Sequence, residues 1–225
     1  MKYLIIIFFA TSTLVISQTI SGFSGLFTIP DANLFHDGTL NFSFHYLDKK
    51  YVSFGDYDDN AIVYSATLNF LPFLEVNTNF VYLLKHKGTQ GIGDRSVGFR
   101  IKFLDEGNHF INLSTGINNI GTAFGGVGAI HKQSIYIVAS KKIWKCNLVI
   151  GHGFKVFKAA DYQFIGLFGG ISLSVLNNLE LITEYDAERF NSAVRLTLLK
   201  HIKILAGLMN LKDFSGGISY SMVLE

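Results

Sequence analysis

Three successive runs between Asn178 and Met209 alternate apolar and polar residues one for one. In the first run Leu179 and Leu181 fall on one face, while Glu180 and Glu184 fall on the other. A period of two is the pattern of a β-strand, whose successive side chains point to opposite faces. The apolar face must be covered, either by a second protein layer or by lipid. In a transmembrane barrel lipid covers it, and the charged face lines the lumen.

The same alternation recurs along most of the chain and predicts twelve strands. The other nine runs are Leu40–Tyr46, Ile62–Phe70, Glu75–Tyr82, Val97–Phe103, His109–Ile117, Gln133–Lys141, Lys145–Phe154, Phe164–Val175 and Ser215–Leu224. A tilted strand crosses a bilayer in about ten residues, and an even strand number returns both termini to the periplasmic side. We therefore predict an all-β, antiparallel transmembrane barrel of about 12 strands that forms one domain, residues 18–225.

The connections between the runs alternate in length, in phase with the strands. Those on the side of the termini are short: Leu71–Phe73, Asp105–Asn108, Lys142–Trp144, Leu176–Asn177 and Lys200. Those on the other side are mostly longer: Asp48–Asp59, Lys85–Gly93, Asn118–Lys132, Lys155–Gln163, Asp186–Phe190 and Asn210–Phe214. Short periplasmic turns and longer outer loops are typical of outer-membrane barrels, whereas a soluble sandwich has no reason to keep this phase.

The N-terminus has the pattern of a secretory signal peptide. Lys2 supplies the positive charge, Tyr3–Ile16 is almost wholly apolar, and Ser17 is a small residue before a cleavage site at Gln18. An uncleaved anchor is the alternative interpretation. Removal of residues 1–17 would leave Gln18–Asp37 as an irregular N-terminal segment that could tuck into or under the lumen. The expected location is the outer membrane of a Gram-negative bacterium.

The charged strand residues fall on the lumen side by parity. A lysine or arginine facing lipid at mid-bilayer would cost roughly 2–4 kcal/mol, so we expect inward side chains in this position. Acidic residues lie across from basic ones on neighbouring strands and within reach of long side chains. The predicted lumen set is Glu75, Arg100, Lys102, Glu180, Glu184, Arg195 and Lys203. These charges either guide a polar solute or pair with each other and hold the strands in register.

Composition and motifs argue against several other functions. A formal net charge of +2 without a basic cluster argues against a nucleic-acid partner. No histidine has a serine two residues on, as in outer-membrane phospholipases, and no metal-binding helix motif occurs, so we expect no enzyme activity, no cofactor and no metal. Asp56, Asp58 and Asp59 could bind calcium, although a solvated loop explains them more simply.

Several short segments, in order, resemble the YjbH-type exopolysaccharide outer-membrane family. They are Gly22, Gly25, Leu26, Thr28, Pro30, Asp31 and Ala32; Asp37–Leu40; Gly93–Arg95; Gly98–Phe103 with Glu106; Gly116–Thr122; Ala139–Lys141; Gly166–Gly170; and Glu184–Asp186. The resemblance implies an outer-membrane barrel linked to production or export of an extracellular polysaccharide.

Three functional hypotheses follow from the barrel and the resemblance. The first is a non-enzymatic pore or docking barrel in exopolysaccharide export or surface assembly. The second is a closed structural barrel that anchors other envelope or secretion components, and the weakest is a lipid-active enzyme. The expected partners are outer-membrane lipid and lipopolysaccharide, together with polysaccharide and envelope export proteins.

Overall fold

A computed structural model describes residues 18–52, 59–85, 92–120, 133–156 and 163–224. Within these residues the chain forms twelve β-strands and one 3-10 turn, Lys49–Tyr51. The strands are β1 (Thr39–Leu47), β2 (Ala61–Leu71), β3 (Leu74–Leu83), β4 (Ile92–Leu104), β5 (Asn112–Asn118), β6 (Ser134–Ile143), β7 (Cys146–Phe154), β8 (Gly166–Leu176), β9 (Leu179–Tyr185), β10 (Phe190–Leu198), β11 (Ile202–Met209) and β12 (Asp213–Val223). The predicted signal peptide, and Asp56 and Asp58, lie outside the described residues.

The sheet closes on itself as a single antiparallel barrel. Each strand pairs with its neighbours in sequence, and β1 also pairs with β12, from Thr39 opposite Val223 to Tyr46 opposite Gly216. Closure leaves no strand edge with unpaired backbone groups. The predicted all-β antiparallel barrel of about 12 strands is confirmed.

The two ends of the barrel differ in the length of their connections. At the short-turn end, where β1 begins and β12 finishes, the connections are 72–73, 105–111, 144–145, 177–178 and 199–201. At the loop end they are 48–60, 84–91, 119–133, 155–165, 186–189 and 210–212. The asymmetry predicted from the sequence is therefore present, although the last two loop-end connections are short.

One short turn is longer than its sequence pattern suggests. The run predicted to begin at His109 becomes strand β5 only at Asn112. The amides of Asn108 and His109 bond the Asp105 carbonyl (3.0 and 2.9 Å), and the Asn112 side chain accepts from the Glu106 amide (2.8 Å). These local bonds compete with the ladder and hold the chain in a turn.

Burial alternates along the strands as the sequence parity predicts. On β1, Asn41, Ser43 and His45 are buried, whereas Phe42 and Phe44 between them are exposed. Among the strand side chains that the structure describes, the exposed ones are mostly large and apolar, so the exterior of the sheet is apolar and the interior is mixed. The described residues include no helix of sufficient length and apolarity to cross a membrane.

The interior holds an apolar cluster as well as the charges. Tyr136, Phe168 and Ile182 contribute from the wall, and residues of the N-terminal segment complete the cluster. Tyr136 packs edge-on against Phe168, with ring centroids 6.2 Å apart. The lumen is thus filled by protein over part of its depth, and the N-terminal segment is the element that fills it.

Candidate functional site in the barrel lumen

Residues 18–35, which we call the plug, lie inside the barrel. Phe23, Leu26, Phe27 and Ile29 are each at most 2% exposed, whereas His36 beyond the plug is exposed. Each of β2, β3, β4, β5, β7, β9 and β10 makes a side-chain hydrogen bond to the plug. The segment that the sequence leaves irregular is therefore held on most sides by the wall.

Glu184 on β9 binds the amide side of the plug's innermost turn. The turn spans Gly25–Pro30 and is closed by a bond from the Leu26 amide to the Ile29 carbonyl (3.0 Å). The Glu184 carboxylate accepts from the amides of Phe27 (2.9 Å) and Thr28 (2.8 Å) and from the Thr28 hydroxyl. Successive backbone N–H groups in a turn form a concave anion site, so a buried carboxylate is well placed here.

Arg195 on β10 binds the carbonyl side of the same turn. Its guanidinium donates to the carbonyl oxygens of Gly25 (3.0 Å) and Leu26, and also to Glu180 on β9 (2.5 Å). Glu180 stands directly opposite Arg195 in the strand register. The turn is therefore held between an anion at its N–H groups and a cation at its C=O groups, which matches the direction of the peptide dipoles.

Glu75 and Arg100 hold a second point of the plug, at Ser24. The two residues are opposite each other on β3 and β4, their side chains are fully buried, and the guanidinium lies 2.6 Å from the carboxylate. Glu75 accepts from the Ser24 amide (3.2 Å) and hydroxyl (2.8 Å), and Arg100 donates to the Ser24 carbonyl (2.8 Å). Both charges thus bond the plug as well as each other, as buried charges require, while Nε of Arg100 makes no hydrogen bond among the described residues.

Further polar side chains of the wall bind the plug backbone and Asp31. Arg100 also donates to the Asp31 carbonyl (2.5 Å), and its guanidinium lies 5.5 Å from the centre of the Phe23 ring. The remaining bonds run from Asn147 to the Asp31 carboxylate (2.6 Å), from Ser114 to the Ala32 carbonyl, from Asn69 to the Phe35 carbonyl (2.9 Å) and from Thr67 to the Gly22 carbonyl (2.7 Å). The wall supplies bonds that regular secondary structure would otherwise supply.

Wall glycines make room for the apolar side chains of the plug. A Cβ atom at Gly98 would lie 2.4 Å from the Phe23 ring, and one at Gly170 would lie 2.7 Å from Leu26. A Cβ atom at Gly207 would lie 2.8 Å from the Phe27 ring. Side chains at these inward positions would occupy the space that the plug fills.

The two remaining members of the predicted lumen set are not bound to the plug backbone in the same way. Lys102 lies two residues along β4 from Arg100, but it pairs with Asp105 in the short turn. Lys203 on β11 is buried, and its ammonium lies 5.5 Å from the centre of the Phe35 ring. The structure therefore brings Glu75, Arg100, Glu180, Glu184 and Arg195 together around the plug and leaves Lys102 at the rim.

The inner face of β1 carries polar atoms that make no hydrogen bond among the described residues. Both side-chain polar atoms of Asn41, the Ser43 hydroxyl and Nδ1 of His45 are in this state, and all three residues are at most 1% exposed. These residues follow one another along the interior at every second position of the strand. These three β1 side chains thus make no hydrogen bond to the plug, in contrast to side chains of β3, β4, β9 and β10.

The loop end is narrowed by the 3-10 turn after β1. Tyr51 in this turn is buried, and its hydroxyl donates to Asp213 (2.7 Å), which also pairs with Lys50 (2.5 Å). Burial and this hydrogen bond raise the pKa of Tyr51 to about 12, so the phenol stays a donor at neutral pH. Arg189 lies over the Tyr51 ring, 4.8 Å from its centre.

Sequence reasoning identified the charges of the wall and placed acidic residues across from basic ones, but it missed the plug residues that these charges bind. Ser24 and Asp31 lie in no periodic pattern, because the plug follows neither the strand period nor the helix period. A general signal was nevertheless present: charges enclosed in a barrel need polar partners, and a segment rich in glycine, serine, threonine and aspartate precedes the first strand. The assembled site binds a peptide segment, and its charges are engaged in that binding.

A known protein family matches almost the whole chain. The family model described as YjbH, exopolysaccharide biosynthesis protein YbjH, matches residues 17–223. The match runs from the residue before the plug to the last residue of β12. No curated protein matches the chain. The resemblance inferred from the sequence is confirmed.

Proposed function

Because the chain belongs to the YjbH exopolysaccharide biosynthesis family, we propose that it takes part in exopolysaccharide export or surface assembly. It does so as an outer-membrane barrel that docks other envelope proteins and carries out no catalytic step. The plug, which occupies the lumen and is bound by four wall charges, is the observation that favours docking over an open pore.

The apolar exterior supports placement in a membrane. Outward side chains such as Phe44 (54% exposed) and Leu167 (59% exposed) would meet water in a soluble monomer. Monomeric soluble proteins rarely expose a continuous apolar surface of this kind, whereas lipid covers it at no cost. Trp144, 80% exposed in a short turn, lies where aromatic residues border the hydrocarbon layer in such barrels.

The pairing of the lumen charges supports a closed barrel. A solute-selective pore needs charged groups that face water, but Glu75 and Arg100 are fully buried, and Glu184 and Arg195 are 2% and 3% exposed. Their hydrogen-bonding capacity is directed at the plug. A barrel closed in this way presents its loops and turns to partners and keeps the membrane sealed.

A gated conduit is the second candidate, and the inner face of β1 favours it. Asn41, Ser43 and His45 carry polar atoms without hydrogen-bond partners among the described residues, so the plug is less bonded on this side. If the plug moved away from β3, β4, β9 and β10, a partner protein would have to replace the lost hydrogen bonds. Water could enter between the plug and β1 without breaking any hydrogen bond. Polysaccharide would then pass only when a partner protein displaces the plug.

Location and conductance test the proposal first. We expect the mature protein to fractionate with outer membranes, to require detergent for purification and to give no steady current in planar bilayers. A variant lacking residues 18–35 should conduct if it folds as a barrel, which heat-dependent gel mobility would show. A soluble monomeric protein, or a wild-type protein with large steady current, would contradict the proposal.

A locked plug separates docking from gating. Cysteines at Ala32 and Ser114, with Cys146 replaced by serine, would join the plug to β5 where the Ser114 hydroxyl already bonds the Ala32 carbonyl. If the barrel docks partners, the oxidised variant should restore exopolysaccharide to a strain lacking the gene. If it restores exopolysaccharide only after reduction, the gated conduit is the function. The single-cysteine variants control for the substitutions themselves.

A further inference from the structure

The plug begins at Gln18, the residue that follows the predicted signal-peptide cleavage site. Its position in the fold is fixed by the plug itself: Gln18 bridges Ser24, and the Thr19 amide donates to the Phe23 carbonyl (2.7 Å). Thr19 and Ile20, the next two residues, are buried. If cleavage occurs at the predicted site, the α-amine of the mature chain is therefore held inside the barrel and not in the surrounding water.

The surroundings of Gln18 suit a neutral group better than an ammonium. An Arg195 nitrogen lies 3.5 Å from the Gln18 carbonyl oxygen, so the α-nitrogen of the same residue lies within about 7 Å of this guanidinium. Among the described residues no carboxylate hydrogen-bonds Gln18, and the Glu180 carboxylate is engaged by Arg195 itself. Burial of an unpaired charge is unfavourable, and two cations repel strongly where little water screens them.

Glutamine at the N-terminus of a chain can remove this charge by its own chemistry. The uncharged α-nitrogen attacks Cδ of the same side chain, so the N–Cδ bond forms and the Cδ–Nε2 bond breaks. Nε2 leaves as ammonia and takes one proton from the α-nitrogen. The product, pyroglutamate, is a neutral five-membered lactam. The step needs no oxidant, reductant or second substrate, and it can take place on the exported chain before the plug docks.

The docked plug loses little when Nε2 of Gln18 is removed. The hydrogen bond that Nε2 donates, to the Thr67 hydroxyl, is long at 3.3 Å. That hydroxyl also donates to the Gly22 carbonyl (2.7 Å) and accepts from Asn77 (2.8 Å), so it keeps a donor and an acceptor bond. Oε1 of Gln18 makes no hydrogen bond among the described residues, and cyclisation leaves the backbone carbonyl that faces Arg195 unchanged. The docked plug therefore does not require the open side chain.

We propose that Gln18 is a modification site: the mature N-terminus cyclises to pyroglutamate, and the plug docks in this neutral form. The inference rests on the export and signal-peptide cleavage that the proposed function implies. A free α-amine would have to lose its proton to be buried. At pH 7 this loss costs roughly a factor of five to ten in the docking equilibrium, because such amines titrate near pH 8 in water.

Mass spectrometry of the mature protein, purified from outer membranes in detergent, tests the modification. Free amines are first labelled by reductive methylation in freshly broken cells. We expect an N-terminal peptide that starts at residue 18, lacks the label at its α-nitrogen and weighs less than the encoded peptide by one ammonia. Gln18→Asn is the matched control, because its shorter side chain would have to close a strained four-membered ring. The N-terminus of this variant should carry the label.

Hydrogen exchange on a single sequence tests the effect on docking. Mature chain with a free Gln18 amine is refolded in detergent with or without earlier treatment by glutaminyl cyclase, so the two preparations differ only in the lactam. At pH 7 the amides of residues 19–35 should exchange roughly five to ten times more slowly in the cyclised preparation, while strand amides exchange equally in both. Heat-dependent gel mobility establishes that both preparations are folded.

The contrary outcomes are distinct. A labelled Gln18 in the wild type, an N-terminus at another residue, or cyclisation that appears only during storage would overturn the modification. Equal exchange of the plug amides in the two preparations would overturn its role in docking. A protein found outside the outer membrane would defeat the proposed function as well, whereas a protein in the outer membrane with a free Gln18 amine would defeat only this inference.

Discussion

Removing the Arg100 guanidinium while keeping Glu75 should release the plug. Arg100→Met deletes the donors to Glu75, Ser24 and Asp31 and leaves a fully buried carboxylate with only the Ser24 amide and hydroxyl as donors. Breaking a buried ion pair by removing one partner costs about 3–5 kcal/mol. Because the lost bonds join the wall to the plug, most of this cost should fall on plug docking and less on the barrel.

Hydrogen exchange of the plug measures the effect directly. With about 1.4 kcal/mol for each factor of ten, amides within residues 18–35 should exchange roughly two to three orders of magnitude faster in Arg100→Met, while strand amides change little. Denaturant unfolding of the barrel in detergent, followed by circular dichroism, reports the remaining loss of stability. The double variant Glu75→Met with Arg100→Met should lose less than Arg100→Met alone, because no unpaired charge stays buried.

Lys102→Met is the matched control for this prediction. It removes the same charge from the same strand two residues away, but its partner Asp105 is 48% exposed in a short turn. An exposed pair contributes at most about 1 kcal/mol, so plug exchange should stay as in the wild type. If the plug amides exchange as slowly in Arg100→Met as in Lys102→Met, the ion pair does not hold the plug, and our interpretation of the lumen charges is wrong.

Three further predictions concern the plug turn, the wall and a short turn. Glu184→Ala leaves two turn amides without their acceptor and should weaken plug docking by about 2–4 kcal/mol, measured by hydrogen exchange, with Glu184→Gln lying between it and the wild type. Gly98→Ala should destabilise the docked plug through contact with the Phe23 ring, and adding Phe23→Ala should recover part of the loss in denaturant unfolding. Hydrogen bonds from Lys102 and from the Gly107 amide lower the pKa of Asp105. The small contribution of this carboxylate to stability is therefore present above the ordinary carboxyl pKa and is lost as the pH falls through the lowered pKa. In unfolding experiments, Asp105→Asn should reduce the loss of stability with falling pH.

The lumen charges show how far parity reasoning extends. Side-chain direction in a strand follows from position alone, so the inward orientation of Arg100 and Arg195 could be predicted from neighbouring apolar residues. Their cross-strand partners Glu75 and Glu180 could be predicted as well. The other contacts could not, since Lys102 pairs with Asp105 and Glu184 bonds the plug. A side chain of this length reaches several acceptors, and the choice among them depends on what else occupies the lumen.

Arg95 marks a second limit of the sequence pattern. The predicted fourth run begins at Val97, but β4 extends back to Ile92, so Arg95 belongs to the strand and shares the outward parity of Val97. The break in alternation at Arg95 ended the predicted run because a charge at an apolar position is unfavourable on average. Only the pairing of Arg95 with Phe80 across the sheet shows that the strand continues through it.

The sequence by itself determined the strand number and the direction of the side chains, because a period of two is a local property and each hairpin needs only its neighbours. The docking of the plug was decided by tertiary structure alone. Residues 18–35 lack a period, and their own turn bonds do not fix their place in the lumen. That place depends on Glu75, Arg100, Glu184 and Arg195, which lie 51 to 177 residues along the chain from the plug atoms they bind. These wall residues surround the plug only in the closed barrel. The local sequence pattern contains no information about which wall residue will bind which part of the plug.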